Sequence, residues 1–411
     1  MYIGVALAFL RDQHGNGNRD HRERKPHQQR LAVDLLGQMR TDKRASEASQ
    51  AECDGARPFH PPCPRLCRKS CRRVHRNGGC RRSNRGMGVC QADDIDQPRR
   101  RQHRSAAAKQ RQQQPDQRAA IGWEDRVGIG DAGNQFHYYR LTRDERYAAQ
   151  AVRFLDVFLL DPATRMNPHL KHAQAIPGRS PGRGIGIIDT LHLIEIPKAI
   201  AALRGSRALT AERAAGLRRW FSDYKDWMLA SDNGKEEANE KNNHAVAFWL
   251  QVAVFAEFTG DPAALRECQA RFTQKFIGMQ MALDGGFPLE LARTKPYAYS
   301  LFQLDNLSTL AWVLSTDGGT NYWRYTLPDG RGLAKGAKFM TPYVQDKSRW
   351  THPPDVQAWE GWPARPVFLL FAGLALDRPA SVDLWRRLDG DPTDPEVRRN
   401  RAITQPLLWL K

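Results

Sequence analysis

Side chains that could hold a carboxylate and move a proton beside it occur in two separate stretches of the chain. The first is the Lys-Asn-Asn-His segment at 241–244. The second is the Glu-Leu-Ala-Arg segment at 290–293, followed by Tyr297 and Tyr299. An amide, an imidazole and a guanidinium are hydrogen-bond donors for a carboxylate, and a phenol can both accept and donate a proton.

Each of these groups has a possible role in such chemistry. Asn243 and His244 stand at a predicted helix start and, with Arg293 from a separate loop, could donate to one carboxylate. Tyr299 could serve as both base and acid, which requires nearby positive charge because a free phenol keeps its proton at neutral pH. Arg293 and a protonated His244 could supply that charge, and Glu290 could orient Arg293.

The same residues also have purely structural interpretations. Asn243 could cap a helix, as asparagine commonly does, and His244 could be a partly buried polar residue. Arg293 could pair with Glu290, and Tyr299 could belong to the core. Only the combination of the four favours a catalytic site.

The elements around these stretches read as amphipathic helices. Apolar residues recur with helical spacing over 136–155, 188–203, 210–230, a helix beginning near 244, 262–283, 299–314, 331–344, 364–376 and 379–388. A long polar loop at 161–185 and a shorter one at 231–240 separate some of them, and such loops often carry function. The apolar stripe of the 210–230 helix, which includes Trp220 and Tyr224, is expected to pack in the core.

Helical hairpins joined by alternating short turns and longer loops predict an all-α fold, an incomplete α/α toroid. No convincing strand alternation exceeds four residues, so a parallel sheet is not expected. An α-solenoid is the second choice, but no repeat of fixed period is found.

Composition divides the 411-residue chain into two parts. Residues 1–130 carry a net charge of +13 out of the chain's +18, with four of its 37 aromatic residues and six of its seven cysteines. Such a composition cannot bury enough apolar surface to offset the entropy of ordering. We therefore predict a basic, Cys-rich, largely disordered segment at 1–131 and a toroid domain at 132–411. The abundance of Arg, Gln and Cys in the first segment is also what translation of a GC-rich region in the wrong frame would produce.

Other interpretations of the 1–131 segment are weaker. Its cysteines at 63, 67, 71, 80 and 90 lack the paired short spacings of structural zinc sites. A nucleic-acid-binding arm and a disulfide framework are possible from charge and cysteine content, but no recognised binding module accompanies them. The apolar opening of the chain lacks a preceding positive charge, so no signal peptide is evident, and no apolar run is long enough to cross a membrane.

Several motifs together resemble the alginate lyase superfamily, whose members are α/α toroid polysaccharide lyases. The resemblance covers about 135–350 and rests on NPHL at 167–170, AQAIPG at 173–178, GRGIGIID at 182–189, NNH at 242–244, PLELART at 288–294, YSLF at 299–302 and YTLPDGR at 325–331. It implies cleavage of a uronic acid polymer, alginate or glucuronan, by β-elimination. The proton on C5 leaves and the glycosidic oxygen on C4 departs.

The resemblance also implies roles for individual residues. Asn243, His244 and Arg293 would neutralise the substrate carboxylate, and Tyr299 would exchange the protons. His244 would be the base for epimers whose proton lies on the opposite face.

Five further residues are expected to bind the polymer. The resemblance places Gln174 and Arg183 in substrate subsites, and Lys241, Glu290 and Tyr297 flank the catalytic residues. The partner is then an acidic polysaccharide, with no nucleic acid, no membrane insertion, and no metal or other cofactor. The resemblance further implies a periplasmic or secreted protein.

Two different functions stay open on the sequence. α/α toroids also host glycoside hydrolases, which use two carboxylates, and the nominees here are Asp189, Glu195, Glu290 and Asp305. The chain could also be an inactive uronan-binding remnant. Superfamily members usually carry a Tyr- and Trp-rich N-terminal segment over the site, and residues 1–131 contain none.

Overall fold

A computed structural model describes residues 129–316 and 319–410. The regular secondary structure of these residues is helical, and β-pairing is limited to two isolated bridges. The predicted all-α class is therefore confirmed. Within the same residues no helix is long and apolar enough to cross a membrane. The predictions of disorder, reading frame and cysteine chemistry for the N-terminal segment concern residues of which 1–128 lie outside the described ranges. Residues 129–131, which were assigned to that segment, instead begin a helix.

Thirteen α-helices are found in the described residues. They are α1 Ile129–Thr142, α2 Glu145–Leu155, α3 Glu195–Ala202, α4 Ala211–Ala230, α5 Asp232–Ala238, α6 Asn243–Thr259, α7 Pro262–Ala270, α8 Pro288–Leu291, α9 Pro296–Leu314, α10 Leu333–Gln345, α11 Val367–Ala375, α12 Pro379–Arg387 and α13 Pro395–Arg399. A 3-10 helix, Gly184–Ile194, precedes α3, and π-helical turns extend α2 and α7.

Two helices at the centre of the fold, α6 and α9, carry three of the four predicted catalytic residues at their first turns, and Arg293 lies just before α9. In α6 every side chain from Ala245 to Ala256 is buried, and α9 is buried over almost its whole length. Helices that are apolar all round lie inside a protein. α6 packs against α4, α7 and α9, and α9 packs against α11, which gives the paired layers of an incomplete α/α toroid.

The ends of these two helices follow ordinary capping chemistry. The Asn242 side chain accepts from the amide of His244 at the start of α6, and Gly260, with φ of 78°, ends that helix in the left-handed region. Pro296 occupies the first turn of α9, where a missing N–H costs nothing. The starts of both helices are therefore fixed by local sequence.

The structure differs from the predicted elements mainly at short helices. The polar loop predicted at 231–240 contains α5, which is capped by Ser231, and α8 lies between the helices predicted at 262–283 and 299–314. α13 was not predicted. None of these three helices is long enough to show apolar periodicity, so the sequence pattern does not reveal them. The helix predicted at 262–283 ends earlier, at Ile277.

Candidate active site

In the first turn of α6, Asn243 is hydrogen-bonded to the buried carboxylate of Glu290. The amide nitrogen of the Asn243 side chain donates to Glu290 Oε2 at 2.6 Å, and its backbone N–H donates to Glu290 Oε1 at 2.7 Å. Asn243 is not the helix cap, because Asn242 fills that position. The structural interpretation of Asn243 as a cap is therefore wrong, and its side chain is held by a neighbouring segment instead.

Glu290 has a different partner from the one expected. Both of its oxygens accept from Asn243, and within the described part of the chain it forms no ion pair with Arg293. Burial raises the pKa of Glu290, while the two bonds from Asn243 and the charges of Arg293 and His244 act in the opposite direction. With its side chain 1% exposed, Glu290 lies behind Asn243 and does not line a substrate surface.

His244 is held by a second buried carboxylate. Its Nδ1 lies 2.7 Å from Glu237 Oε1, and the Glu237 side chain is fully buried on α5. An ionised carboxylate accepts at that distance, which assigns the proton to Nδ1 and leaves Nε2 for another partner. Burial raises the pKa of Glu237, and the bond and charge of His244 oppose that shift. Its second oxygen has no hydrogen-bond partner in the structure.

Arg293 and Tyr299 are in direct contact. The guanidinium carbon of Arg293 lies 3.9 Å from the centroid of the Tyr299 ring, and Lys295 Nζ lies 5.2 Å from the same centroid. Arg293 and Tyr299 are both partly exposed. Two cations therefore face a phenol ring, an attractive arrangement that also provides the positive charge a phenolate would need.

Two hydrogen bonds through the Gln280 side chain link the start of α9 to the start of α6. Tyr299 and Gln303 are one turn apart and so share a face of α9. Gln303 Nε2 donates to Gln280 Oε1 at 2.7 Å, and Gln280 Nε2 donates to the carbonyl of Asn242 at 3.4 Å. The start of α9 is thus linked to the first turn of α6. We call the region that contains the buried Asn243 and the partly exposed His244, Arg293 and Tyr299 the α6–α9 edge.

The long loop reaches the same region through a chain of polar contacts. Arg183 Nη2 donates to Gln174 Oε1 at 3.1 Å, and Gln174 Nε2 donates to Asp189 Oδ1 at 3.0 Å. Burial raises the pKa of Asp189, and the bond from Gln174 and the charges of Arg399, His244 and Arg183 counteract it. Gln174 and Arg183, both predicted subsite residues, therefore lie in the electrostatic neighbourhood of His244.

Of two other predicted binding residues, Lys241 is exposed and Tyr297 is buried. Lys241 is exposed on the turn that leads into α6. Tyr297 is fully buried, its hydroxyl donates to the carbonyl of Tyr343 at 3.1 Å, and its ring packs edge-on against Trp350 and Trp359. The expectation that Tyr297 contacts substrate is corrected by this burial. It supports the start of α9.

The carboxylates nominated for a hydrolase are mostly committed to internal bonds. Asp305 is 4% exposed and accepts from the backbone of Phe368. Glu195 is 3% exposed and accepts from Thr404, and Glu290 is occupied by Asn243. These three buried carboxylates join elements of the fold together.

The sequence did not single out Glu237. It lies in the stretch interpreted as a polar loop, among other acidic residues at 236 and 240. It lies seven residues before His244, on a separate helix, so its contact with the imidazole depends on how α5 packs beside α6. Glu237 is the one residue in direct contact with the histidine side chain that residue types and spacing alone did not identify.

Comparisons with known proteins identify the family of the chain. The profile of the alginate lyase family matches residues 37–350. The crystal structure of an alginate lyase from Bacteroides ovatus is similar to the chain with a TM-score of 0.57 and 29% sequence identity, over 68% of this chain and 72% of that one. No curated protein shows a significant match. The chain is thus a polysaccharide lyase, and it belongs to the alginate lyase family.

Proposed function

We propose that this enzyme cleaves a 1,4-linked uronic acid polymer, alginate or glucuronan, by β-elimination at the α6–α9 edge. The observation that carries the proposal is the contact of Arg293 with the Tyr299 ring, at 3.9 Å, together with the common action of Arg293, Asn243 and His244 on the Glu290 carboxylate. A proton-transfer group therefore lies against a cation, and that cation lies near two further polar groups of α6. We place the enzyme in the periplasm or outside the cell, where it would meet such polymers.

The first requirement of the reaction is neutralisation of the substrate carboxylate. The proton on C5 is barely acidic while the adjacent carboxylate keeps its charge, so donors must stabilise the enolate-like intermediate. The Asn243 amide and the Arg293 guanidinium are donors at the α6–α9 edge, and His244 Nε2 becomes a third donor when the imidazole is protonated on both nitrogens, with Glu237 accepting from Nδ1. The N-terminus of α6 adds the positive end of a 17-residue helix dipole.

The second requirement is proton transfer. The Tyr299 phenolate, stabilised by Arg293 and Lys295, takes the C5 proton. The electron pair of the broken C–H bond forms the C4–C5 double bond while the bond from C4 to the glycosidic oxygen breaks. The same hydroxyl then returns its proton to the leaving oxygen, so no external acid is needed. For the epimer with its proton on the opposite face, His244 Nε2 is the base.

Product analysis tests this proposal. With polymannuronate and glucuronan as substrates, wild-type enzyme should release unsaturated uronides that absorb in the ultraviolet. Tyr299→Phe should lower kcat by about 100- to 10,000-fold, the usual contribution of a general acid–base group. Tyr147→Phe is the matched control, because Tyr147 stacks on Tyr138 near the start of α2 and should leave kcat unchanged.

The alternatives give different results in the same experiment. A hydrolase would release reducing ends without ultraviolet absorbance, and a binding remnant would retain polymer without any product. Full activity in both Tyr299→Phe and His244→Ala would show that the α6–α9 edge is not the catalytic site. Melting temperatures of all variants must match the wild type for the comparison to hold.

A further inference from the structure

A buried carboxylate near the C-terminus holds two cations at the α6–α9 edge. Glu396, on α13, accepts from Lys295 Nζ and from Arg399 Nη2, the latter at 2.5 Å. Asn400 Nδ2 donates to the same carboxylate at 3.0 Å. Asp394 caps α13 by accepting from two backbone amides. The short helix is therefore held in place from both ends.

Arg399 is connected to the catalytic residues through this cluster. Lys295, which shares Glu396 with Arg399, lies 5.2 Å from the centroid of the Tyr299 ring. The Arg399 carbonyl lies 3.2 Å from His192 Nε2, on the 3-10 helix that also carries Asp189. Arg399 thus lies between the Tyr299 side of the edge and the elements behind His244.

The cluster carries an excess of positive charge that is open to solvent. The Glu396 carboxylate pairs with both Lys295 and Arg399, so these three side chains together leave one positive charge. Asp189 and Asp355 act on Arg399 and Lys295 only through longer-range electrostatics. The Arg399 side chain is 65% exposed, whereas that of Glu396 is 9% exposed. A guanidinium has five N–H donors, and its planar fork matches a carboxylate in a bidentate manner. An exposed ion pair such as that of Arg399 with Glu396 contributes little to stability. The exposed guanidinium of Arg399 is, however, well suited to bind an anion.

We propose that Arg399 binds the carboxylate of a uronate residue adjacent to the one that is cleaved. The inference rests on the proposed function. A uronan carries one carboxylate on every sugar, so the enzyme needs a cation for each sugar that it binds. Arg399 lies beyond the range that the family profile matches, 37–350. The subsite is therefore contributed by the C-terminal part of this chain.

Steady-state kinetics on polymer and on short oligouronates test the role of Arg399. Arg399→Ala should raise KM by about 10- to 100-fold, the value of a hydrogen bond to a charged group, with kcat within about twofold, because the contact is made equally in ground and transition states. Arg399→Lys should recover part of the loss. Arg398→Ala is the matched control: Arg398 is the exposed neighbour on the same helix and should behave as wild type.

Direct binding separates this inference from the proposed reaction. In a Tyr299→Phe background, the Kd for a uronate trisaccharide should rise at least about tenfold on adding Arg399→Ala, and not on adding Arg398→Ala. Equal Kd values for the two double variants would overturn the subsite, whatever the activity of the wild type. A wild type that releases no unsaturated product but binds through Arg399 would refute the elimination chemistry and leave the subsite standing. If Arg399→Ala lowers the melting temperature, Arg399→Gln replaces it.

Discussion

Each donor on α6 has a buried carboxylate behind it. Glu290 fixes the amide of Asn243, and Glu237 fixes the imidazole of His244. Burying a carboxylate is costly unless it is hydrogen-bonded, so each pair strongly favours one side-chain orientation. The remaining amide hydrogen of Asn243 and Nε2 of His244 are then the groups left to meet a substrate. The orientation exists before substrate binds, which is the condition for efficient electrostatic stabilisation.

Substitution of Glu237 should change the pH dependence of the reaction. Burial raises the pKa of Glu237, so acidification removes its charge at a higher pH than for an ordinary glutamate. Wild-type kcat/KM should therefore fall as pH drops through this raised value. Glu237→Gln keeps an acceptor for His244 Nδ1 but has no charge to lose. We expect its kcat/KM to be about tenfold lower and to lack that acid-side fall.

Asp232→Asn is the matched control for this prediction. Asp232 lies on α5 like Glu237 but is exposed and is not among the charges that act on Glu237, so its variant should keep the wild-type profile. Measurement of kcat/KM against pH for the three proteins decides the matter. A Glu237→Gln profile parallel to that of the wild type would mean that Glu237 has only a structural role.

The site residues that could be predicted from the sequence are those whose side-chain functional group itself suggests a role. Asn243, His244, Arg293 and Tyr299 were nominated from functional groups and motif resemblance, and their catalytic role stays a prediction. In the structure Asn243, His244 and Arg293 all act on the Glu290 carboxylate, and Arg293 contacts the Tyr299 ring. Tyr297 was wrongly included as a substrate contact. Residues two apart on a helix point to nearly opposite sides, so the first tyrosine enters the core when the second faces outward.

At the scale of elements, the long helices were predicted and the short ones were not. α4, α6 and α9 bury broad apolar surfaces, which appear as periodic patterns in the sequence. α5 and α8 are held by caps and by bonds to distant segments, such as Glu290 to Asn243. Interactions between segments distant in the chain are not encoded in local periodicity. The partnership of Glu290 with Asn243 was missed for the same reason.

The 3-10 helix at Gly184–Ile194 packs closely against the long loop at 161–185, and Gly186 lies at the point of contact. A Cβ at Gly186 would lie 2.4 Å from the Ala173 Cβ and 2.8 Å from its backbone carbonyl carbon. Gly186→Ala must therefore displace the segment that carries Gln174. We expect a loss of about 1–3 kcal/mol in the free energy of unfolding, as for overpacking, together with a higher KM, measured by urea unfolding and steady-state kinetics.

Gly216→Ala provides the comparison for that substitution. A Cβ at Gly216 meets only the Leu160 side chain, at 3.0 Å, and a flexible side chain can move. Alanine is also favoured over glycine within a helix by up to about 1 kcal/mol. This variant should be as stable as the wild type or more stable, with unchanged KM. Equal behaviour of Gly186→Ala and Gly216→Ala would contradict the proposed close contact.

At the scale of the whole described region, the C-terminal residues close onto the first half of the fold. Glu195 accepts hydrogen bonds from the backbone amides of Thr404 and Gln405. Arg140 donates to the carbonyl of Leu407 at 2.6 Å, and Trp312 donates to the carbonyl of Trp409 at 2.7 Å. Residues after the family match at 37–350 are thus part of the same packed structure, and they carry Arg399 to the α6–α9 edge.

Asp305 links α9 to α11 and should make the stability of this packed structure depend on pH. It is buried and accepts from the backbone amide of Phe368 at 2.9 Å. Burial raises its pKa to about 7, against the opposing bonds from Phe368 and Val367 and the charge of Arg401. Because the folded value exceeds the unfolded one, the stabilising contribution is complete below the unfolded pKa and is lost as pH rises towards 7.

The loss could reach about 4 kcal/mol in the free energy of unfolding, at about 1.4 kcal/mol per pKa unit. Asp305→Asn keeps an acceptor oxygen for Phe368 but does not titrate. Its stability relative to the wild type should therefore increase between about pH 5 and pH 8, as measured by urea unfolding. Asp223→Asn, at an exposed position, should follow the wild type throughout. If the wild-type and Asp305→Asn stabilities change in parallel, Asp305 is ionised in the folded protein over the whole range, with its charge held by Arg401 and the backbone amides.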